Sequence, residues 1–164
     1  MTEDRGQIML LSALVACACL IILATYLYSV SASCSIERPA LQRETVDNVI
    51  WAQDAGLFQA AGETERCQWE QRATLADSYK ARAYIAVSSI ERSMMARGIA
   101  YSFTFNESLA VSYLDDSGMS EVECIDGILV KKEDNNASVY GCTYDMSLTD
   151  GSSRYHMSTV KTWA

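Results

Sequence analysis

The side chains that could do chemistry in this chain are few, and most lie beyond residue 33. Cys34, Cys67, Cys124 and Cys142 sit in a polar stretch. No two of them form a Cys-x-x-Cys pair, the spacing that favours zinc. An even number of cysteines in an exported segment instead fits two disulfides, with three possible connectivities. Cys17 and Cys19 lie in an apolar run, where a thiol behaves as a small hydrophobe. Two triplets, Asn106-Glu107-Ser108 and Asn136-Ala137-Ser138, have the pattern of N-glycosylation acceptors, which again is chemistry of the cell exterior. His156 is the single histidine and alternates with Tyr155 and Met157, as a surface or packed strand residue would. Asp115-Asp116 and Glu133-Asp134 offer oxygens to a cation, but without EF-hand spacing. No glycine-rich phosphate loop, Gly-x-Ser-x-Gly elbow or His-Glu-x-x-His motif is present. The expectation is a chain with no catalytic residues, no cofactor and no metal site. An exported enzyme would need His156 and carboxylates to converge in a pocket.

Location is easier to read. Ile8 to Val30 contains no charged residue, and as a helix it would span about 35 Å at ~1.5 Å per residue, enough for a hydrocarbon core of roughly 30 Å. Tyr26 and Tyr28 near its end suit the interfacial aromatic belt. A cleaved secretory signal would have a positive head and a shorter apolar stretch; here Glu3 and Asp4 flank Arg5, although Ser31-Ala32-Ser33 could serve a peptidase. A lipoprotein reading would acylate Cys34, but Ser31 stands where Leu or Val is wanted.

Arg5-Gly6-Gln7 immediately precedes the run. This arrangement resembles the class III signal peptide of archaeal type IV pilin-like proteins. The resemblance implies cleavage between Gly6 and Gln7, with the hydrophobic helix retained as an anchor or packed in a filament core. It also implies an N-terminal helix followed by a β-rich C-terminal part. Many pilins carry Glu at the fifth mature position, whereas this chain has Leu11. Without that carboxylate, the resemblance points at least as well to a membrane-resident protein or minor subunit as to a major pilin.

The remaining pattern gives the elements. Residues 1–6 read as a leader, 7–30 as a transmembrane helix, 31–38 as a hinge, and 39–164 as an extracytoplasmic α+β domain. Pro39 is suited to open a helix, Val46, Val49, Ile50, Leu57 and Ala60 recur at helical spacing, and Gly62 stops it, predicting a helix over Pro39–Ala61. Thr64 can cap a second helix. Its seam is Trp69, Ala73, Ala76, Lys80, Ala83, Val87, Ile90 and Met94, and Gly98 ends it. Beyond Gly98 the period becomes strand-like: Ile99–Phe105, Leu109–Leu114, Val122–Ile125, Ile128–Lys132, Val139–Met146 and Arg154–Trp163. Asp126-Gly127 is the strongest hairpin signal, and Asn135-Asn136 predicts another turn. The expected fold is therefore α+β, with two helices after the anchor and then a five- or six-stranded antiparallel sheet.

In that register Cys124 faces Leu129 and Leu129 faces Tyr140. Cys142 is then two strands from Cys124, about 10 Å at ~4.8 Å per strand. A disulfide needs Cα atoms within about 7 Å, so a simple meander forbids Cys124–Cys142. Either the strand order differs, or one of the two pairs with Cys34 or Cys67.

The net charge is -8, and the part beyond Val30 carries 12 Lys+Arg against 19 Asp+Glu, which disfavours nucleic acid as a partner. The expected partners are the lipid bilayer and, through the N-terminal helix, like subunits or a membrane complex. Small residues Ser12, Ala13, Ala16 and Ala18 would let such helices approach closely. The expectation is a single-pass surface protein with its C-terminal domain outside and a structural or adhesive role. The alternative is a single-pass accessory subunit of a transport or secretion complex.

Overall fold

The computed structural model describes residues 41–163. The leader, the apolar run, the hinge, Gly6, Gln7 and Cys34 lie outside the described residues. Helix α1 spans Arg43–Glu63 and is followed by the two-residue strand β1, Cys67–Gln68. A 3-10 turn, Trp69–Gln71, leads into α2, Arg72–Ala96. Then come β2 (Ala100–Phe105), α3 (Glu107–Ser117), β3 (Val122–Ile125), β4 (Ile128–Glu133), β5 (Asn136–Thr149) and β6 (Arg154–Thr162). The described residues thus form an α+β fold with three α-helices and one six-stranded antiparallel sheet.

The 14-residue strand β5 organises the sheet. Along one edge it pairs first with β4 (Asn136–Cys142) and then with β2 (Tyr144–Thr149). Along the other it pairs with β1 at Asn136 and Ala137 and with β6 from Gly141 to Thr149. β3 joins outside β4. Because side chains alternate along a strand, Cys142, Tyr144, Met146 and Leu148 of β5 enter one core together with Tyr101 and Phe103 of β2 and Ile128 and Val130 of β4. α1 contributes Val46, Val49, Leu57 and Ala60 to that core, and α2 contributes Leu75, Ala76, Tyr79, Ala83, Val87 and Met94. Leu129 and Thr143 fall at the alternate positions, and Thr143 bonds the carbonyl oxygens of Asn106 and Gly127.

Several expectations are corrected. α1 runs on through Gly62 to Glu63, and Thr64 closes α1 instead of capping α2, which starts at Arg72. Residues 109–114 are not a strand: they lie inside α3. Asn106 caps that helix by accepting the Leu109 N–H at 2.9 Å, Glu107 sits in its first turn, and Gly118 closes it in the left-handed conformation (φ 65°). The second turn falls at Asp134-Asn135, one residue early, with Asp134 at φ 55°. Leu129 faces Gly141 rather than Tyr140, because the β4–β5 register shifts between Leu129 and Val130. The Asp126-Gly127 hairpin forms as expected, with Cys124 opposite Leu129. Gly98 ends α2 at φ 75°, a conformation that favours glycine.

Candidate functional site

Polar side chains collect in two places. The first is a seam between α1 and the sheet. α1 reads apolar at 46, 49, 57 and 60, but the position between them is Gln53, which is only 1% exposed. The Tyr101 hydroxyl donates to Gln53 Oε1 at 2.9 Å, whereas Gln53 Nε2 is buried without a partner. Next to it, Asp54 accepts the Tyr144 hydroxyl at 3.0 Å and the Lys161 ammonium at 2.6 Å. The Tyr79 hydroxyl donates to Cys142 Sγ at 3.4 Å. Burial pushes the Cys142 thiol up to about 12, and it raises Tyr79, Tyr101 and Tyr144 above the ordinary phenol value. Each of these groups therefore keeps its proton at neutral pH. A protonated, buried thiol is a poor nucleophile, so the seam ties helix to sheet and does not supply reactive groups.

The second place is a cleft in the edge of the sheet. β1 occupies β5 at Asn136 and Ala137, and β6 takes over at Gly141, which leaves Ser138, Val139 and Tyr140 between them. The only bond bridging this interval toward the β6 side is donated by the Trp163 N–H to the Tyr140 carbonyl at 2.7 Å, among the described residues. The resulting cleft holds about 600 Å³ and is walled by Tyr140, Trp163, Thr64, Ser138, Arg66 and Glu133. Glu133 holds two cations, Arg66 at 3.1 Å and Lys131 at 3.4 Å. Trp163 is braced from behind by Tyr79, with ring centroids 5.8 Å apart. This size and mixture of rings, hydroxyls and one satisfied ion triad suit binding. Among the described residues, no nucleophile is hydrogen-bonded to a base there.

The residues singled out from sequence are scattered. Cys67 pairs with Ala137 in β1, Cys124 lies in β3, and Cys142 lies in β5 opposite both Ile128 and Lys161. All three are free thiols. Cys67 and Cys142 are five positions apart along β5, about 16 Å at ~3.3 Å per residue, and β4 separates Cys142 from Cys124. Asn106 Nδ2 donates to both Asp145 oxygens, at 3.0 and 2.9 Å, whereas Asn136 is exposed at the start of β5. Bonds from Ser158 and Asn106 hold the Asp145 carboxyl below the usual carboxylate range. His156 is exposed opposite Ser147. No group of three or more metal-ligating side chains converges among the described residues.

Sequence reading missed both polar places. The seam left one trace, a polar pair at Gln53-Asp54 where the apolar series of α1 should continue. The cleft left none, because Arg66, Lys131, Glu133, Tyr140 and Trp163 meet only through strand pairing.

A family model covering residues 2–162, nearly the whole chain, matches this sequence. The chain belongs to the family of unknown function DUF7261. No protein of curated function and no solved structure matches this DUF7261 chain.

Proposed function

We propose that this DUF7261 protein is a membrane-anchored, extracytoplasmic surface protein of pilin-like layout that acts through packing and adhesion. The observation that carries the reading is the charge-free run Ile8–Val30, placed ahead of an acidic α+β domain. The run is long enough to cross a bilayer, and Arg5-Gly6-Gln7 stands where a prepilin-type peptidase would cut. No helix of the described residues is long and apolar enough to cross a membrane, so on this reading the run alone anchors the chain. In this account the helix associates with lipid or with like helices, while the domain presents its cleft and loops to the surroundings. The cleft's internally paired charges and two rings are the features by which the domain would take a ligand.

N-terminal sequencing of the mature protein tests the reading. A start at Gln7, with the protein in the membrane fraction and the domain cut by protease added to intact cells, is the expected result. A start near Cys34 in a water-soluble product, or a domain protected from external protease, would overturn it. Stable co-purification with a transporter or secretion complex would replace it with the accessory-subunit reading.

A further inference from the structure

The side of α1 turned away from the core carries two large apolar rings. Trp51 is 74% exposed and Phe58 is 62% exposed. They are seven residues apart, two helical turns, so they share one stripe with Ala55 between them. Scattered exposed apolar side chains are ordinary, but two aromatic rings aligned on the outer stripe of one helix are not. We propose that this stripe lies in the headgroup region of a neutral bilayer, so that the domain rests on the membrane through Trp51 and Phe58.

Three observations select lipid as the occupant. α1 begins at Arg43, only thirteen residues after Val30, which limits it to about 45 Å from the end of the apolar run even when the connecting chain is fully extended. Tryptophan, with an apolar body and one N–H donor, prefers the membrane–water boundary. Two rings also make a small patch beside the roughly 800 Å² per partner that a stable protein interface buries, whereas a tethered domain needs only a weak contact with the surface beneath it. Charge sets the lipid class. Glu44 lies on the stripe one heptad before Trp51, Asp47 is paired with Arg43 at 3.9 Å, and Glu63 is paired with Arg82 at 3.1 Å. The flank offers no free cation cluster to anionic headgroups, so a zwitterionic surface fits better.

The inference rests on the anchored reading, and the experiment separates the two. The full chain is reconstituted into phosphatidylcholine nanodiscs with and without bromine on the acyl carbons nearest the headgroup, and tryptophan emission is compared with that of Trp51→Phe. Bromine should quench a blue-shifted component that is lost in Trp51→Phe and in Trp51→Glu/Phe58→Glu, and quenching should weaken when phosphatidylglycerol replaces half the lipid. Both positions are exposed, so the variants should keep the circular dichroism of the parent. A chain that enters the nanodisc but emits equally with and without bromine overturns the lipid contact and leaves the anchor intact. A chain that never enters the nanodisc overturns the anchor itself. Absence of quenching, together with self-association that Trp51→Glu/Phe58→Glu abolishes, would assign the stripe to a second copy of the chain.

Discussion

Asp54 in α1 and Lys161 in β6 are joined by a 2.6 Å ion pair across 107 residues of sequence. The same carboxylate takes the Tyr144 hydroxyl, so a helix and two neighbouring strands meet on one acid. Both members of the ion pair are about one-third exposed, so solvent screens them and the pair alone contributes modestly. The hydrogen bond from buried Tyr144 is screened less. Tyr144→Phe should lower stability by about 1 kcal/mol, as for a typical buried hydrogen bond. A double-mutant cycle of Asp54→Ala and Tyr144→Phe in urea denaturation should show coupling of about 0.5–2 kcal/mol. Additive losses would mean the bond contributes nothing to the fold.

Asp150, in the β5–β6 turn, accepts the backbone N–H groups of Leu41, Ser152 and Ser153 at 2.7, 2.9 and 2.7 Å. These bonds, those of Ser153 and Ser152 foremost, hold its carboxyl down at about 2, below its ordinary 3.8. A lowered folded-state value means the carboxylate stabilises the fold above pH 3.8 and that this contribution fades as pH falls toward 2. Asp150→Asn should therefore lower the thermal midpoint at pH 6, and the gap from the parent should close by pH 2. Calorimetry across that window measures it; a gap constant with pH would refute the assignment.

Two glycines should respond in opposite directions to alanine. A Cβ at Gly141 would drive into the Lys161 carbonyl and come within 3.1 Å of Thr162 Cα, both of them backbone that cannot swing aside. Gly141→Ala should cost about 3 kcal/mol or more, because β5 and β6 must separate. A Cβ at Gly62, inside α1, meets nothing within 4 Å. Gly62→Ala should stabilise by about 0.5–1 kcal/mol through the lower entropy of the unfolded chain. Chemical denaturation of both variants side by side would check the contrast.

The two Asn-x-Ser triplets are unequally placed. Asn106 uses its amide nitrogen on Asp145 and its oxygen on the α3 cap, whereas Asn136 is exposed. If the domain is glycosylated in its host, glycopeptide mass spectrometry should find occupancy at Asn136 and little at Asn106. Asn106→Ala should cost about 1–2 kcal/mol, chiefly the lost cap.

The helical period and the stop at Gly98 are readable in the sequence, whereas Gly62, expected to end α1, lies inside it. Ala76, Ala83, Val87 and Met94 face the core from α2 as the expected seam requires, but Ala73 of that seam is exposed and Leu75 and Tyr79, outside it, are buried; the Asp126-Gly127 turn sets the β3–β4 register as expected. The spacing predicts α1 over 39–61, and the helix runs over 43–63. Leu109–Leu114 misled because a short apolar-polar alternation fits half a helix as well as a strand. The deciding information was the cap three residues upstream of Leu109, at Asn106. β1 is two residues long, too short for any periodicity to reveal, yet its pairing with Asn136 and Ala137 sets one end of the gap along β5. The exposed Trp51 and Phe58 were legible only as aromatics on a helix, because their outward direction depends on which stripe the sheet takes.

Four of the other five strands find their partner in β5, the next-to-last element of the chain. During synthesis, β1 and β2 have no strand to pair with until β5 is made, and α1 and α2, which pack on each other, lack the sheet that covers their remaining apolar sides. Closure of the sheet therefore waits for Asn136–Thr149. The same order leaves Phe103 of β2 without Tyr144, the ring it stacks near at 5.2 Å between centroids, until that strand has been made.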